Sequence, residues 1–145
     1  MLEAIEDELG VDYSMIETGE EAREVTALQG CELMGSETWA ECVTLVFVSK
    51  VAANLIAPVH ITHLPKKVSR LAVADQHDER LAEGFATYIN GRLTASGSTI
   101  LNDPFEYRER MTNGLESAQD DLAAILERGV PPAAGMTAAM DRLVS

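Results

Sequence analysis

Three histidines and an aspartate are the residues of this chain that could together bind a metal ion. His60 and His63 lie in the proline-bounded stretch HITH, and His77 follows Asp75 by two residues. A zinc site needs three or four side chains held at fixed positions. This spacing places His77 on a different predicted element from the HITH pair, which favours solvated or core-capping histidines. The sequence therefore predicts no metal site and no cofactor.

Carboxylates are abundant, but their distribution argues against acid–base catalysis. Most of the 24 aspartates and glutamates fall on the outer faces of predicted helices, whereas a catalytic carboxylate needs a desolvated pocket that shifts its pKa. Asp78 alone stands within an apolar run, and its expected partner is Arg80 or a neighbouring subunit. The common nucleophile, phosphate-loop, dinucleotide and zinc-protease motifs do not occur. These features predict a protein that is not an enzyme.

Lys66, Lys67 and Arg70 form a local basic cluster. Two interpretations stay open: a solvated start of a helix, or a contact with an acidic partner or with DNA phosphate. Three charges form too small a patch for stable DNA binding at physiological salt. The cluster is therefore a candidate DNA or partner contact rather than a predicted nucleic-acid site.

Length and charge limit the classes of protein further. The 145 residues suit one domain, and the formal net charge of -13 repels phosphate, which disfavours sequence-reading or wrapping of nucleic acid. Cys31 and Cys42 form no C-x-x-C pair, so two buried thiols are favoured over a disulfide. The apolar run over 43–57 is too short to span a bilayer, so no membrane partner is expected.

Helical periodicity predicts an all-α fold, a bundle of four to five helices with an extended C-terminal tail. Val43 to Val48 favours a strand by propensity, but the apolar run is longer than typical strands, so a helix is preferred. The predicted helices are one ending at Gly10, one capped by Thr18, one over 38–57, one from Val68 to the SGS at 96–98, and one from Asp103 to Gly129. The predicted core between the third and fourth helices consists of Val46, Phe47, Val51, Leu55, Leu71, Leu81 and Phe85.

Two regions are expected: a helical bundle core over 1–97, and a C-terminal helix and tail over 98–145. The fifth helix has a regular apolar stripe that the first four helices do not need, which favours contact with a neighbouring subunit. Packing of that helix on its own bundle stays open as the alternative. The candidate interface residues are Met111, Leu115, Leu122, Ile125, Met136, Met140 and Leu143.

The order of three stretches resembles a family of viral proteins. ELGV at 8–11, AECVTLVFVSKVAANLIAP at 40–58 and KKVSRLAVA at 66–74 together look like the head-to-tail adaptor, or connector, proteins of tailed viruses, of the short-tailed phage type. The similarity covers roughly 2–95. It implies an acidic structural protein of the virion neck, assembled in the host cytoplasm.

The resemblance also implies partners. Twelve copies would form a homo-oligomer ring, a dodecamer, beneath the portal protein and extend the channel for non-specific passage of genomic DNA. The ring would bind the portal and connect to the downstream tail protein, with 98–145 as the segment that contacts the portal. The alternative function is a small acidic helical binding or regulatory module of a bacterial or archaeal cell.

Overall fold

A computed structural model describes residues 1–111 and 116–143. Its helices are α1 (Leu2–Leu9), α2 (Gly19–Leu28), α3 (Trp39–Val46), α4 (Pro104–Met111), α5 (Glu116–Glu127) and α6 (Met140–Leu143). Its strands are β1 (Val59–Pro65), β2 (Leu81–Ile89), β3 (Arg92–Ile100) and β4 (Ala133–Ala138). The strands form one antiparallel sheet in the order β1-β2-β3-β4. In the two described ranges, every helix is too short or too polar to cross a membrane.

The prediction of an all-α bundle with an extended tail is wrong, because the centre of the chain is this sheet. The predicted fourth helix is instead a loop followed by β2 and β3. Asn90 and Gly91 join these strands with φ angles of 50° and 71°. Two consecutive residues with positive φ make the tight turn that matches the twist of a hairpin, and Asn-Gly is the sequence that favours it. This turn reverses the direction of the chain at a point where the sequence predicted a continuous helix.

Three predicted helix starts and one predicted helix end are confirmed. Gly10 ends α1 in the left-handed region at φ 70°, and the Thr18 hydroxyl accepts a hydrogen bond from the Glu21 N–H at 3.2 Å. Thr38 and Glu41 form the predicted capping box of α3. The Asp103 carboxylate accepts from the N–H two residues later at 2.8 Å, at the start of α4. Side-chain caps are local, so they can be predicted from short stretches.

The apolar segment predicted as one helix over 38–57 is helical in part. After α3 it continues as a π-helical turn over Phe47–Val51 and a 3₁₀ turn over Ala52–Asn54. The helical conformation stops there because the next two carbonyls bind the hairpin turn: Asn90 N–H donates to Ile56 O at 3.0 Å, and Gly91 N–H donates to Leu55 O at 2.9 Å.

The main core lies between this apolar segment, the N-terminal helices and one face of the sheet. Phe47 is fully buried and meets the Tyr88 ring edge to face, with 5.4 Å between the ring centroids. Val46, Val51 and Leu81 of the predicted core are also buried, and the half-buried Leu55 packs against them. The prediction for Phe85 is wrong, because this half-buried residue lies on the opposite face of the sheet, next to Gly97. The prediction for Leu71 is wrong, because 48% of this residue is exposed in the loop between β1 and β2.

Arg80 ties the loop before β2 to the N-terminal region. Its guanidinium lies 4.4 Å from the centroid of the Trp39 ring and donates to Ile16 O at 2.7 Å and Ser14 O at 3.0 Å. It also pairs with Asp78 at 2.8 Å, which confirms the partner expected for that carboxylate. The hydrogen bonds from Arg80 hold the pKa of Asp78 below its usual value.

The C-terminal part returns to the sheet. The boundary predicted at residue 97 falls inside β3, and Gly97 pairs with Met136 of β4. The division into 1–97 and 98–145 stays a prediction. Cys31 and Cys42 are free thiols, and burial raises the pKa of Cys42.

We expect Phe47→Ala to lower the free energy of unfolding by about 3 to 5 kcal/mol, because a fully buried aromatic ring would leave a cavity. Urea unfolding measures the loss. Val48→Ala is the matched control, because the neighbouring Val48 is exposed and should change stability by less than about 0.5 kcal/mol. Equal effects of the two substitutions would contradict the described core.

Arg80→Lys should lower the free energy of unfolding by about 1 to 3 kcal/mol, although it keeps the charge. A lysine ammonium cannot donate at once to Ile16 O, Ser14 O and the Asp78 carboxylate as the planar guanidinium does. Thermal and urea unfolding of Arg80→Lys and of Arg92→Lys, an exposed control on β3, measure the difference. Unchanged stability of Arg80→Lys would show that these bonds are replaced by water without cost.

Candidate functional site

Two rows of laterally paired residues cross the sheet and face opposite sides, because successive side chains of a strand alternate. In the first row Ile61 pairs with Ala86, and both are buried in the main core. The second row contains Thr62, Phe85, Gly97 and Met136, one from each strand. Thr62, Phe85 and Met136 of this second row line a cavity of about 560 Å³, here called the sheet cavity. Its lining residues are Thr62, His63, Asp75, Ala82, Glu83, Gly84, Phe85, Ser98, Thr99, Ala134, Gly135 and Met136.

Small residues on β3 and β4 leave space over the sheet. A Cβ atom on Gly97 would lie 2.7 Å from the Phe85 ring and 2.8 Å from the Gly135 carbonyl oxygen. No side chain fits at that distance, so Gly97 lets the Phe85 ring lie across the neighbouring strand. Met136, which is 69% exposed, continues this apolar floor. The result is an apolar surface open to solvent.

Carboxylates stand at the edge of the sheet cavity. Asp75 accepts a hydrogen bond from the His77 N–H at 2.8 Å, and its other oxygen lies 3.4 Å from His63 Nε2. The His77 N–H, and then the Asp78 N–H, hold the pKa of Asp75 below its usual value. Asp75 is therefore ionised at neutral pH, and Glu83 lines the same cavity. An apolar floor with carboxylates beside it suits a ligand that combines an aliphatic chain with a cation.

The structure separates the three histidines. His60 Nδ1 lies 2.8 Å from the Thr87 hydroxyl, and its ring meets Phe85 edge to face. His63 sits at an irregularity of β1 with φ 52°, which places it beside Asp75. His77 is exposed in the loop before β2. Within the part of the chain that the structure describes, no three His, Cys, Asp or Glu side chains are grouped as metal ligands.

The predicted basic residues share a second location. Lys66, Lys67 and Arg70 line a cavity of about 230 Å³ together with Arg110 of α4, and these four residues are called the basic cleft. Sequence reasoning missed Arg110, because nothing local links α4 to the loop after β1. The sequence contains one weak indication that the Arg110 side chain is held in place. Glu106 and Arg110 are four residues apart on one helix, a spacing that favours the ion pair that they form.

The candidate interface residues are dispersed. Met111 and Leu122 pack against a small core formed by α4 and α5 with Leu101. Met136 lies in the sheet cavity. The exposed members are Ile125, Met136, Met140 and Leu143, and Leu115 lies outside the described residues. Contact of this set with another subunit stays a prediction.

Comparison with known proteins identifies relatives of the whole chain. A sequence model of the class II tRNA synthetases (D, K and N) matches residues 3–145. The lysine–tRNA ligase of Agrobacterium fabrum is 36% identical over 99% of this chain and 31% of its own length. The lysine–tRNA ligase of Sinorhizobium medicae is 36% identical over 97% of this chain and 30% of its own length. That of Carboxydothermus hydrogenoformans is 33% identical over 99% of this chain and 32% of its own length. The chain spans about a third of the length of these curated relatives.

These matches overturn the resemblance to viral adaptors. The expected virion location, dodecameric ring, portal and tail partners and passage of genomic DNA are wrong, because the relatives are ligases of cellular organisms that act on tRNA. The expectation of a non-enzymatic protein and the alternative of a small acidic helical module are wrong for the same reason. The resemblance rested on an order of helices, and the last of them, predicted from Val68, is a loop followed by β2 and β3. The chain belongs to the family of class II tRNA synthetases for D, K and N.

Proposed function

We propose that this chain is part of a lysine–tRNA ligase and that its sheet cavity binds the lysine side chain. The observation that supports the proposal best is the match to lysine–tRNA ligases over 97–99% of the chain. Because the chain spans about a third of those relatives, the complete ligation is proposed for the protein that contains it. The step assigned to these residues is recognition of lysine.

The chemistry of lysine fits the sheet cavity in two respects. Its four methylene groups would lie on the apolar floor of Phe85 and Met136, and its ammonium group would lie near Asp75 and Glu83. Asp75 is well suited to this role, because two backbone N–H groups hold it in the ionised form. A charged ligand in a partly apolar site is held mainly by such a fixed opposite charge.

Recognition would precede ester formation. Joining the lysine carboxylate to a tRNA hydroxyl requires activation of the carboxylate, for which a ligase uses a nucleoside triphosphate. The cavity would contribute by holding the amino acid in one orientation, since restricting a bound substrate lowers the barrier of the following step. The proposal therefore assigns Asp75 and Glu83 to binding and not to bond making.

We expect the protein to bind lysine at least about tenfold more tightly than norleucine, which has a similar aliphatic chain but no ε-ammonium group. Glu83→Gln and Asp75→Asn should remove this preference, because each replaces a carboxylate by a neutral group of the same shape. Titration calorimetry with both amino acids measures it, and lysine-dependent exchange of pyrophosphate into the nucleoside triphosphate tests activation.

Glu79→Gln is the matched control, because Glu79 is exposed in the same loop and does not line the sheet cavity. It should bind lysine as the unaltered protein does. Equal affinity for lysine and norleucine, or the same loss in all three variants, would contradict the assignment of the cavity. Lysine activation that persists in Asp75→Asn and Glu83→Gln would place the amino acid elsewhere in the protein.

A further inference from the structure

The basic cleft concentrates positive charge in a strongly acidic protein. Lys66, Lys67 and Arg70 reach it from the loop after β1, and Arg110 reaches it from α4. These four cations are the lining of a cavity of about 230 Å³, while the whole chain has a net charge of -13. The negative net charge repels anions from most of the protein surface. An anion would therefore bind where several cationic donors are grouped, as they are in the basic cleft.

Arg110 is the buried member of the cleft. Its side chain is 10% exposed, and its Nη1 donates to Ala72 O at 2.5 Å and to Arg70 O at 3.2 Å. Its Nη2 pairs with Glu106. Its Nε is buried without a hydrogen-bond partner in the described ranges. Arg110 therefore holds the loop after β1 in place through two backbone carbonyls and adds its charge to the lining of the cleft.

The other cations differ in how far they are neutralised. Lys67 Nζ lies 3.4 Å from Glu41 Oε1 and 3.3 Å from the Thr38 hydroxyl. For Lys66 and Arg70, no carboxylate of the described residues lies within ion-pair distance. Among the described residues, the cleft thus combines two cations without a carboxylate partner, Lys66 and Arg70, with the paired cations Lys67 and Arg110.

We propose that the basic cleft binds a phosphate group, either of pyrophosphate or of an RNA backbone. Phosphate oxygens accept several charge-assisted hydrogen bonds at once, which matches ammonium and guanidinium donors arranged around one small space. The cavity of about 230 Å³ is lined by these four cations, which favours a compact anion over an apolar ligand. The proposal does not depend on lysine binding in the sheet cavity.

Titration of the protein with pyrophosphate, and separately with a short single-stranded RNA, tests the proposal at low salt by calorimetry. We expect saturable binding that Lys66→Ala and Arg70→Ala each weaken by about tenfold. Neither substitution removes the Arg70 backbone carbonyl that accepts a hydrogen bond from Arg110, so the fold should be retained. Thermal unfolding of both variants checks this. Arg110→Lys keeps the charge but cannot reproduce the hydrogen bonds to Arg70 O and Ala72 O, so it should also weaken binding.

Arg92→Ala is the matched control for Arg70→Ala. Arg92 is exposed and pairs with Ile89 at one end of β2, whereas the basic cleft lies at the other end, where Leu81 pairs with Pro65. Binding of pyrophosphate that depends on Arg70 supports a small phosphate ligand, and binding of RNA alone with the same dependence supports a backbone phosphate. The proposal is overturned if neither probe binds, or if Arg92→Ala weakens binding as much as Arg70→Ala does.

Discussion

The burial of one apolar segment, residues 39–52, against one face of the sheet is the constraint on which the rest of the structure depends. Phe47 within this segment contacts Tyr88 of β2, and the N-terminal helices cover its remaining sides. Because this layer covers the face that carries Ile61 and Ala86, the opposite face is left with the row of Thr62, Phe85, Gly97 and Met136. The sheet cavity therefore lies on the face opposite to this helical layer.

One loop, residues 66–80, connects the two candidate sites. It supplies three cations of the basic cleft at its beginning and Asp75 of the sheet cavity further on. The middle of the loop is fixed to the sheet, because Val73 N–H donates to Thr99 O at 2.9 Å and Val73 O accepts from Glu83 N–H at 2.8 Å. Opposite charges in one loop can then face separate spaces without neutralising each other.

Local features of the structure could be predicted from the sequence, and features that join distant segments could not. The side-chain caps at Thr18, Thr38 and Asp103 depend on a few neighbouring residues, and the structure contains them. The hairpin turn at Asn90 and Gly91 is equally local, because the Asn-Gly pair by itself favours such a turn. The proximity of Arg110 to the loop after β1 and of Asp75 to His63 depends on tertiary packing, for which short stretches carry no signal. The family, in turn, required comparison with whole sequences.

The pairing of β3 with β4 has a consequence for how the chain folds. The β2–β3 hairpin closes through a two-residue turn, but Ile100 of β3 pairs with Ala133 of β4 across the segment that contains α4 and α5. Closing a long flexible segment costs entropy before its contacts stabilise the chain, and folding rates fall as such distant contacts increase. Packing of Tyr107 in α4 with Leu126 in α5 compacts the segment and brings its ends closer together. Because the helical pair shortens the connection between β3 and β4, its packing lowers the entropic cost of adding the fourth strand to the sheet.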